Sequence, residues 1–472
     1  MPKVPDLLEL PKRPQTSPGK PATKATKSTT AQSLAQTGDP VARFRQLLKI
    51  TEWLVPVPAE WIVLAPAATS VAPALQPKTC TAYRDLSMAW RKALKWRQHM
   101  DDVLSVMLAV ITSTVQQGDQ LFLMVIGDPG GGKTRMCDGL LVSKHCHALE
   151  YLTGFFSGIK DSSGQDYSLI TRVNRKCMIT PEGDVMMKNP NFLQIMSESR
   201  RIFDGTISAS FKTQTEDKTY GGLRTPWIIA GTPAMLENDQ ANLGDRFLKV
   251  YMESPLQSER REILQRISRS ALEAVQVQAD GEELVGEKLK EAYELTGGYV
   301  DWLRANTHLL SEISVGQEYI TRCEYLAEFI AFMRARPARE EEGISTKEEP
   351  NRLNHQFIRM MCCVTMVLNR KQVDDDVMRR IRKVALDTGR GIVLDVITIM
   401  RKSENQFISV KALAIQTDLS EAKMTKLLKF LKSIGALRLS KEEGMKRGTK
   451  PLWGFTALMA ELVENVYEED YL

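Results

Sequence analysis

Eight consecutive residues carry the clearest chemistry in this chain: Gly127-Asp128-Pro129-Gly130-Gly131-Gly132-Lys133-Thr134. They match the spacing GxxxxGK[ST], in which backbone N–H groups curl around phosphate oxygens because glycine leaves room for them. Lys133 is then placed to reach β- and γ-phosphates and the Thr134 hydroxyl to ligate Mg²⁺, with Arg135 directly behind them. Such a loop needs a buried strand before it and a helix after it, whose N-terminus adds partial positive charge. Leu121–Ile126 has strand length and composition, and a helix reads from about Lys133, so both neighbours are expected. A chance glycine turn would have neither. The ligands this pattern implies are ATP and Mg²⁺.

Hydrolysis also needs a carboxylate to polarise water. A second strand, Cys177–Thr180, runs into Pro181-Glu182-Gly183-Asp184, which sets two acids just past its C-terminal end. That is the edge at which open α/β sheets bind ligands. Glu182 is the candidate catalytic carboxylate and metal partner, with Asp184 in support; a solvated acidic turn is the plainer alternative.

The elements that must position these groups alternate, strand and helix, through the first half of the chain. This pattern argues for an α/β fold with a parallel sheet. A helical stretch from about Ala82 to Thr114 precedes the loop strand, with Leu86, Trp90, Leu94, Val103, Met107 and Val110 at three- and four-residue spacing. A third strand reads at Trp227–Ala230, and after Pro255 the pattern is almost wholly helical to about Met400. At 472 residues two or three domains are expected, and 43% hydrophobic residues suffice for a buried core. The net charge of +5 is small for this length and does not by itself point to nucleic acid.

Seven scattered cysteines without a CxxC pair argue against a disulfide framework and for reduced thiols in the cytoplasm. His145-Cys146-His147 is read as part of a helix face rather than a metal site, since adjacent helical residues point apart. The longest apolar runs have strand length and fall short of a membrane span.

Several stretches together resemble the AAA+ ATPases and, within them, the minichromosome maintenance (MCM) type of replicative helicase. The likeness spans about Ala82 to Phe455. Phe203-Asp204-Gly205-Thr206-Ile207-Ser208-Ala209-Ser210-Phe211-Lys212 resembles that family's pre-sensor hairpin, which makes Lys212 the expected DNA-gripping residue. Ser157 to Ser168 occupies the place of the family's inserted loop. Trp227-Ile228-Ile229-Ala230-Gly231-Thr232-Pro233 resembles the sensor-1 strand, with Thr232 near the γ-phosphate. Leu243-Gly244-Asp245-Arg246-Phe247-Leu248 resembles the arginine-finger segment, so that Arg246 would act on a neighbour's ATP, although a surface ion pair with Asp245 is the simpler reading. Arg352, in Pro350-Asn351-Arg352-Leu353, matches the sensor-2 position at the start of a helix.

The resemblance implies an AAA+ core over residues 119–258 and a helical lid over 259–391. Residues 392–472 resemble a winged helix, with Ser420 capping its second helix and Lys446, Arg447 and Lys450 on a basic wing. That module would contact duplex DNA, or bind protein and brace the ring; the sequence leaves both open. Residues 1–45 read as a disordered basic tail and 46–118 as an N-terminal helical segment. The stretch before the core is short for the N-terminal module of cellular members, which directs the expectation to compact MCM-like helicases of phages or mobile elements. Such a protein would be a homo-oligomeric ring, a hexamer, with single-stranded DNA in its channel. The rival is a DNA-bound initiator, loader or transposition regulator that hydrolyses ATP without unwinding.

Overall fold

The computed structural model describes residues 75–94, 96–150, 152–157, 166–209, 217–236, 246–254, 284–336, 347–403, 407–440 and 451–467, and a few helical positions between 261 and 272. All of these belong to one compact unit, Pro73–Leu472. The expected tail 1–45, residues 46–74, Lys212 and the wing residues Lys446, Arg447 and Lys450 lie outside them.

In chain order the elements are α1 (Tyr83–Ala93), α2 (Gln98–Thr112), β1 (Phe122–Gly127), α3 (Lys133–Leu141), β2 (Cys146–Ala148), α4 (Leu169–Val173), β3 (Cys177–Thr180), α5 (Gly183–Met187) and α6 (Phe192–Phe203). Then come β4 (Ile207–Ala209), β5 (Lys218–Tyr220), β6 (Trp227–Gly231), β7 (Phe247–Met252), α7 (Leu284–Ala305), α8 (Gln317–Met333), α9 (Asn351–Val367) and α10 (Asp375–Thr388). The chain closes with α11 (Ile392–Lys402), β8 (Ile408–Ser409), α12 (Val410–Gln416), α13 (Glu421–Ser433), β9 (Leu437–Leu439), β10 (Leu452–Phe455) and α14 (Ala457–Tyr467).

The first half of the chain builds a five-stranded parallel sheet in the order β2-β3-β6-β1-β7. Its three central strands, β3, β6 and β1, are buried on both faces, which is why they read as apolar runs. Along β1, Leu123 and Val125 join a core with α1, α2 and α7 to α10, while Phe122, Met124 and Ile126 pack on the opposite face with Phe203, Trp227 and Phe247. Because all five strands are parallel, their C-terminal ends form one edge and their N-terminal ends the other.

Two expectations need correction. The helical stretch Ala82–Thr114 is two helices, α1 and α2. Trp96 turns back to stack on Trp90 at 5.2 Å, and Asp101 collects Ser87 (2.6 Å), the Trp96 indole N–H (2.8 Å) and Arg91. A straight helix could not bring those donors to one carboxylate. His145-Cys146-His147 is not helical either. After α3 the Ser143 hydroxyl donates to Asp301 (2.6 Å) and accepts from the His145 N–H (3.1 Å), and the chain turns into β2 beside β3, Cys146 facing Cys177.

In the last part of the described chain, α12 and α13 precede a hairpin of β9 and β10, completed by β8 as a small antiparallel sheet in the order β8-β10-β9. Ser409 caps α12 and Ser420 caps α13, each side chain accepting a backbone N–H three residues on. Gly435, at φ +83°, ends the helical turn after α13 in a conformation glycine adopts freely. α14 returns to α8, where Tyr467 meets Phe329 edge-on at 6.0 Å and Glu461 accepts from Tyr325 at 3.1 Å.

Candidate active site

The glycine loop leaves β1 at the C-terminal edge and enters α3. Gly130 (φ +77°) and Gly132 (φ +93°) hold left-handed conformations that would strain any other residue, and a Cβ on Gly130 would face open space. Lys133 is buried, and its ammonium donates to the loop's own carbonyls, Gly127 O at 2.6 Å and Asp128 O at 2.8 Å. Burial lowers its pKa from the ordinary lysine value, while Asp184, Asp128 and Glu182 pull the other way. The Ser254 hydroxyl, just past β7, donates to the Asp128 carboxylate and ties the loop to the next strand. Concave glycine backbone, a helix N-terminus and one cation held only by carbonyls fit a polyphosphate well.

The acidic segment arrives at the same edge. Glu182 follows β3 with its side chain exposed and without a hydrogen bond among the described residues. Asp184, in the first turn of α5, is already engaged: one oxygen accepts the Thr232 N–H at 2.8 Å and the other the Thr232 hydroxyl at 2.8 Å. Charge-assisted bonds of this kind fix the side chain they hold. Gly183 permits this approach, since a Cβ there would lie 2.5 Å from Ile229 Cγ2 and 2.7 Å from Met235 Sδ. Asp184 therefore acts on Thr232, and Glu182 is the carboxylate open to water.

Thr232 sits at the end of β6, between the loop strand β1 and the acidic strand β3. The register pairs Ile126 with Gly231 and Thr180 with Ile229, so loop, Thr232 and Glu182 share one edge.

Arg246 and Arg352 do not. Arg246 precedes Phe247, which pairs with Phe122 at the start of β1. Six residues at about 3.3 Å each separate Arg246 from the loop end of β7, roughly 20 Å along the strand. Its guanidinium bonds Asp204 at 3.2 Å and lies 5.5 Å over the Phe203 ring, so its described partner is Asp204; Asp245 lies outside the described residues. The Gln356 amide donates to the Arg246 carbonyl at 2.9 Å, and Arg359 reaches the carbonyls of Gln117 and Asp119 ahead of β1. Arg352, one turn before Gln356 on α9, pairs with Glu348 at 3.4 Å. Both arginines thus belong to the edge opposite the phosphate loop. Arg135, although next to Thr134, is hydrogen-bonded to Tyr293 on α7, which raises its pKa.

The remaining thiols and imidazoles show no such convergence. Burial pushes the Cys137 thiol up to about 12, and Cys146 and Cys177 are raised for the same reason. No group of three or more His, Cys, Asp or Glu side chains among the described residues could hold a metal ion. No described helix is long and apolar enough to cross a membrane. Comparison of the chain with protein-family models gives no match, and comparison with curated proteins gives none either.

Proposed function

We propose that this chain is an ATP-driven DNA helicase or translocase of the MCM-like AAA+ type, working as a homo-oligomeric ring, a hexamer, in the replication of a phage or mobile element. The observation that carries the reading is the division of charged groups between the two sheet edges. The phosphate loop, Glu182 and Thr232 share one edge, and Arg246 and Arg352 sit at the other. An arginine roughly 20 Å along the strand from its own loop can meet a nucleotide only on a second copy, which is the arrangement of a ring.

In this reading Lys133 exchanges the Gly127 and Asp128 carbonyls for phosphate oxygens. Glu182 takes the proton of the attacking water, and Thr232, oriented by Asp184, hydrogen-bonds the terminal phosphate. Bound Mg²⁺ would neutralise charge on the phosphates, with Thr134 and Glu182 as the residues to hold it. The neighbour's Arg246, released from Asp204, stabilises charge developing on the transferred group; such fingers are worth on the order of 10³–10⁵ in rate. DNA contact falls to the antiparallel pair β4–β5, whose connection carries Lys212, and to the helix-turn-helix-like α12–α13 with its hairpin, read as a winged helix. On α13, Lys423, Lys426, Lys429 and Lys432 are all exposed, a face suited to phosphate.

The test is unwinding of a forked duplex by purified protein with ATP and Mg²⁺. Wild type separates the strands and Lys133→Ala does not. Mixing Lys133→Ala with Arg246→Ala subunits, each inactive alone, restores part of the ATPase. DNA-stimulated hydrolysis without strand separation would instead favour the initiator or loader, and mixed rings that stay inactive would remove the shared site.

A further inference from the structure

Away from the nucleotide edge lies a buried polar cluster that the reading above does not use. The Lys218 ammonium, 9% exposed, donates to Asp166 Oδ1 at 2.7 Å and to the Ser157 carbonyl at 2.8 Å. Asp166 also accepts from the Tyr220 hydroxyl and from the Ser168 N–H at 2.9 Å. The Ser168 hydroxyl accepts from the Ser157 N–H at 3.0 Å and lies 3.0 Å from the Tyr220 oxygen, whose one proton goes to Asp166, and the ring of Phe156 lies 5.5 Å from that of Tyr220.

These residues come from two excursions of the chain. Ser157 and Asp166 are the two feet of the segment 158–165, in the stretch that resembles an inserted loop. Lys218 and Tyr220 form β5, the returning strand of the pair whose connection, 210–216, contains Lys212. Nothing in the register of β4 with β5 requires a lysine at 218, and a buried cation is unfavourable unless acid and hydrogen bonds compensate it. Here they do: burial alone would push the Asp166 carboxyl up, but the bonds from Lys218, Tyr220 and Ser168 hold it well below the usual carboxylate range. The Asp166 carboxyl therefore stays ionised at neutral pH, and the cluster acts as a fixed joint. With the Lys218 ammonium buried and Asp166 half-buried, the pair prescribes one relative placement, because a displacement would strand the lysine away from water without its partner.

We propose that Asp166 and Lys218 are positioning residues: they lock Ser157 and Asp166, with the start of α4, to the strand pair β4–β5, so that these described parts move as one body and share any load on Lys212. The load-sharing part rests on the DNA-translocation reading, whereas the mechanical joint does not.

Hydrogen–deuterium exchange of the full-length protein tests the joint directly. Lys218→Met is expected to raise exchange roughly tenfold both in peptides covering β5 and in those covering 153–157 and 166–170, since both sides lose the same lock. Lys218→Arg, which keeps the charge, retains most of the protection. Adding Asp166→Asn to Lys218→Met produces little further change, the signature of a shared interaction. Exchange confined to β5 overturns the proposal. Should Lys218→Met fold poorly, Tyr220→Phe removes only the hydroxyl that meets Asp166 and Ser168 and is expected to loosen the same two regions to a smaller degree. For the load-sharing part, Lys218→Met is expected to keep basal ATPase within about twofold while losing most of the stimulation by single-stranded DNA. Unchanged stimulation in a variant whose two regions both loosen overturns the positioning role. A wild-type ATPase indifferent to DNA would defeat the translocation reading, while the exchange result would still decide the joint.

Discussion

Helices α10 and α13 each carry four basic side chains and put them to opposite uses. α10 carries Arg379, Arg380, Arg382 and Lys383, and each is matched. Arg379 makes a two-pronged bond to Asp102 at 2.7 and 2.8 Å. Arg380, 4% exposed, reaches Asp102 at 3.3 Å and Asp376 at 2.5 Å. Lys383 reaches Asp387 at 3.2 Å, and Arg382 lies 5.3 Å over the Tyr467 ring. α13 carries Lys423, Lys426, Lys429 and Lys432, all exposed, and none has an ion-pair partner among the described residues. The difference follows from where each helix lies. α10 packs on β7, α8 and α9, and its buried Arg380, which reaches Asp102 on α2, would as an unpaired cation be held out of water at large expense. α13 turns its lysines to solvent, where they keep their hydration and remain available to a polyanion. Lysine suits that second role, since it supplies point charges rather than the planar fork that reads a base edge. Arginine suits the first, because its fork matches a carboxylate.

This contrast can be broken most forcefully at Asp102. Asp102→Ala removes the buried carboxylate shared by Arg379 and Arg380, leaving Arg380 with Asp376 alone, and is expected to lower the unfolding free energy by about 2–3 kcal/mol, read by equilibrium denaturation. A loss below about 1 kcal/mol would mean that the pairing on α10 is incidental. Replacing all four α13 lysines with glutamine is expected to leave stability within about 0.5 kcal/mol of wild type. The same variant should reduce the slope of log affinity against log salt on duplex DNA by about 3–4, close to one per lost phosphate contact. An unaltered slope would assign α13 to protein contacts or to bare solvation. The smallest effect concerns pH. Burial would raise the Asp376 carboxyl, but Arg380 and the bonds from Arg379, Arg380 and Arg370 hold it down at about 2, against an ordinary 3.8. A carboxylate with a depressed folded pKa contributes its stability above the ordinary value and loses it as the pH falls through the folded one. The melting temperature should therefore fall between about pH 4 and pH 2, and Asp376→Asn should flatten part of that fall.

How much of this was legible beforehand depended on distance along the chain. The phosphate loop is local: eight residues, a strand before and a helix after, all within reach of backbone rules. The same holds for the three expected sheet strands, seen at Phe122–Gly127, Cys177–Thr180 and Trp227–Gly231, and for the Ser420 cap of α13. The helical break after α1 was not legible, because it is made by Asp101 on α2 gathering donors from α1 and from the link before α2. The strand at Cys146 was not either, because three residues become a strand only when β3 is there to pair with them. Asp184 could be located by sequence but not assigned, since its partner Thr232 is 48 residues away.

The sequence alone therefore determined the glycine loop with its strand and helix, and that a parallel sheet must present it, since glycine conformations and apolar runs are set by neighbours a few residues apart. Tertiary structure decided the rest: that Thr232 stands between the loop strand and the acidic strand, that Arg246 and Arg352 face away from their own loop, and that Lys218 is joined to Asp166. Those outcomes depend on strand order and on the pairing of buried charges, in which residues tens or hundreds of positions apart must leave water together.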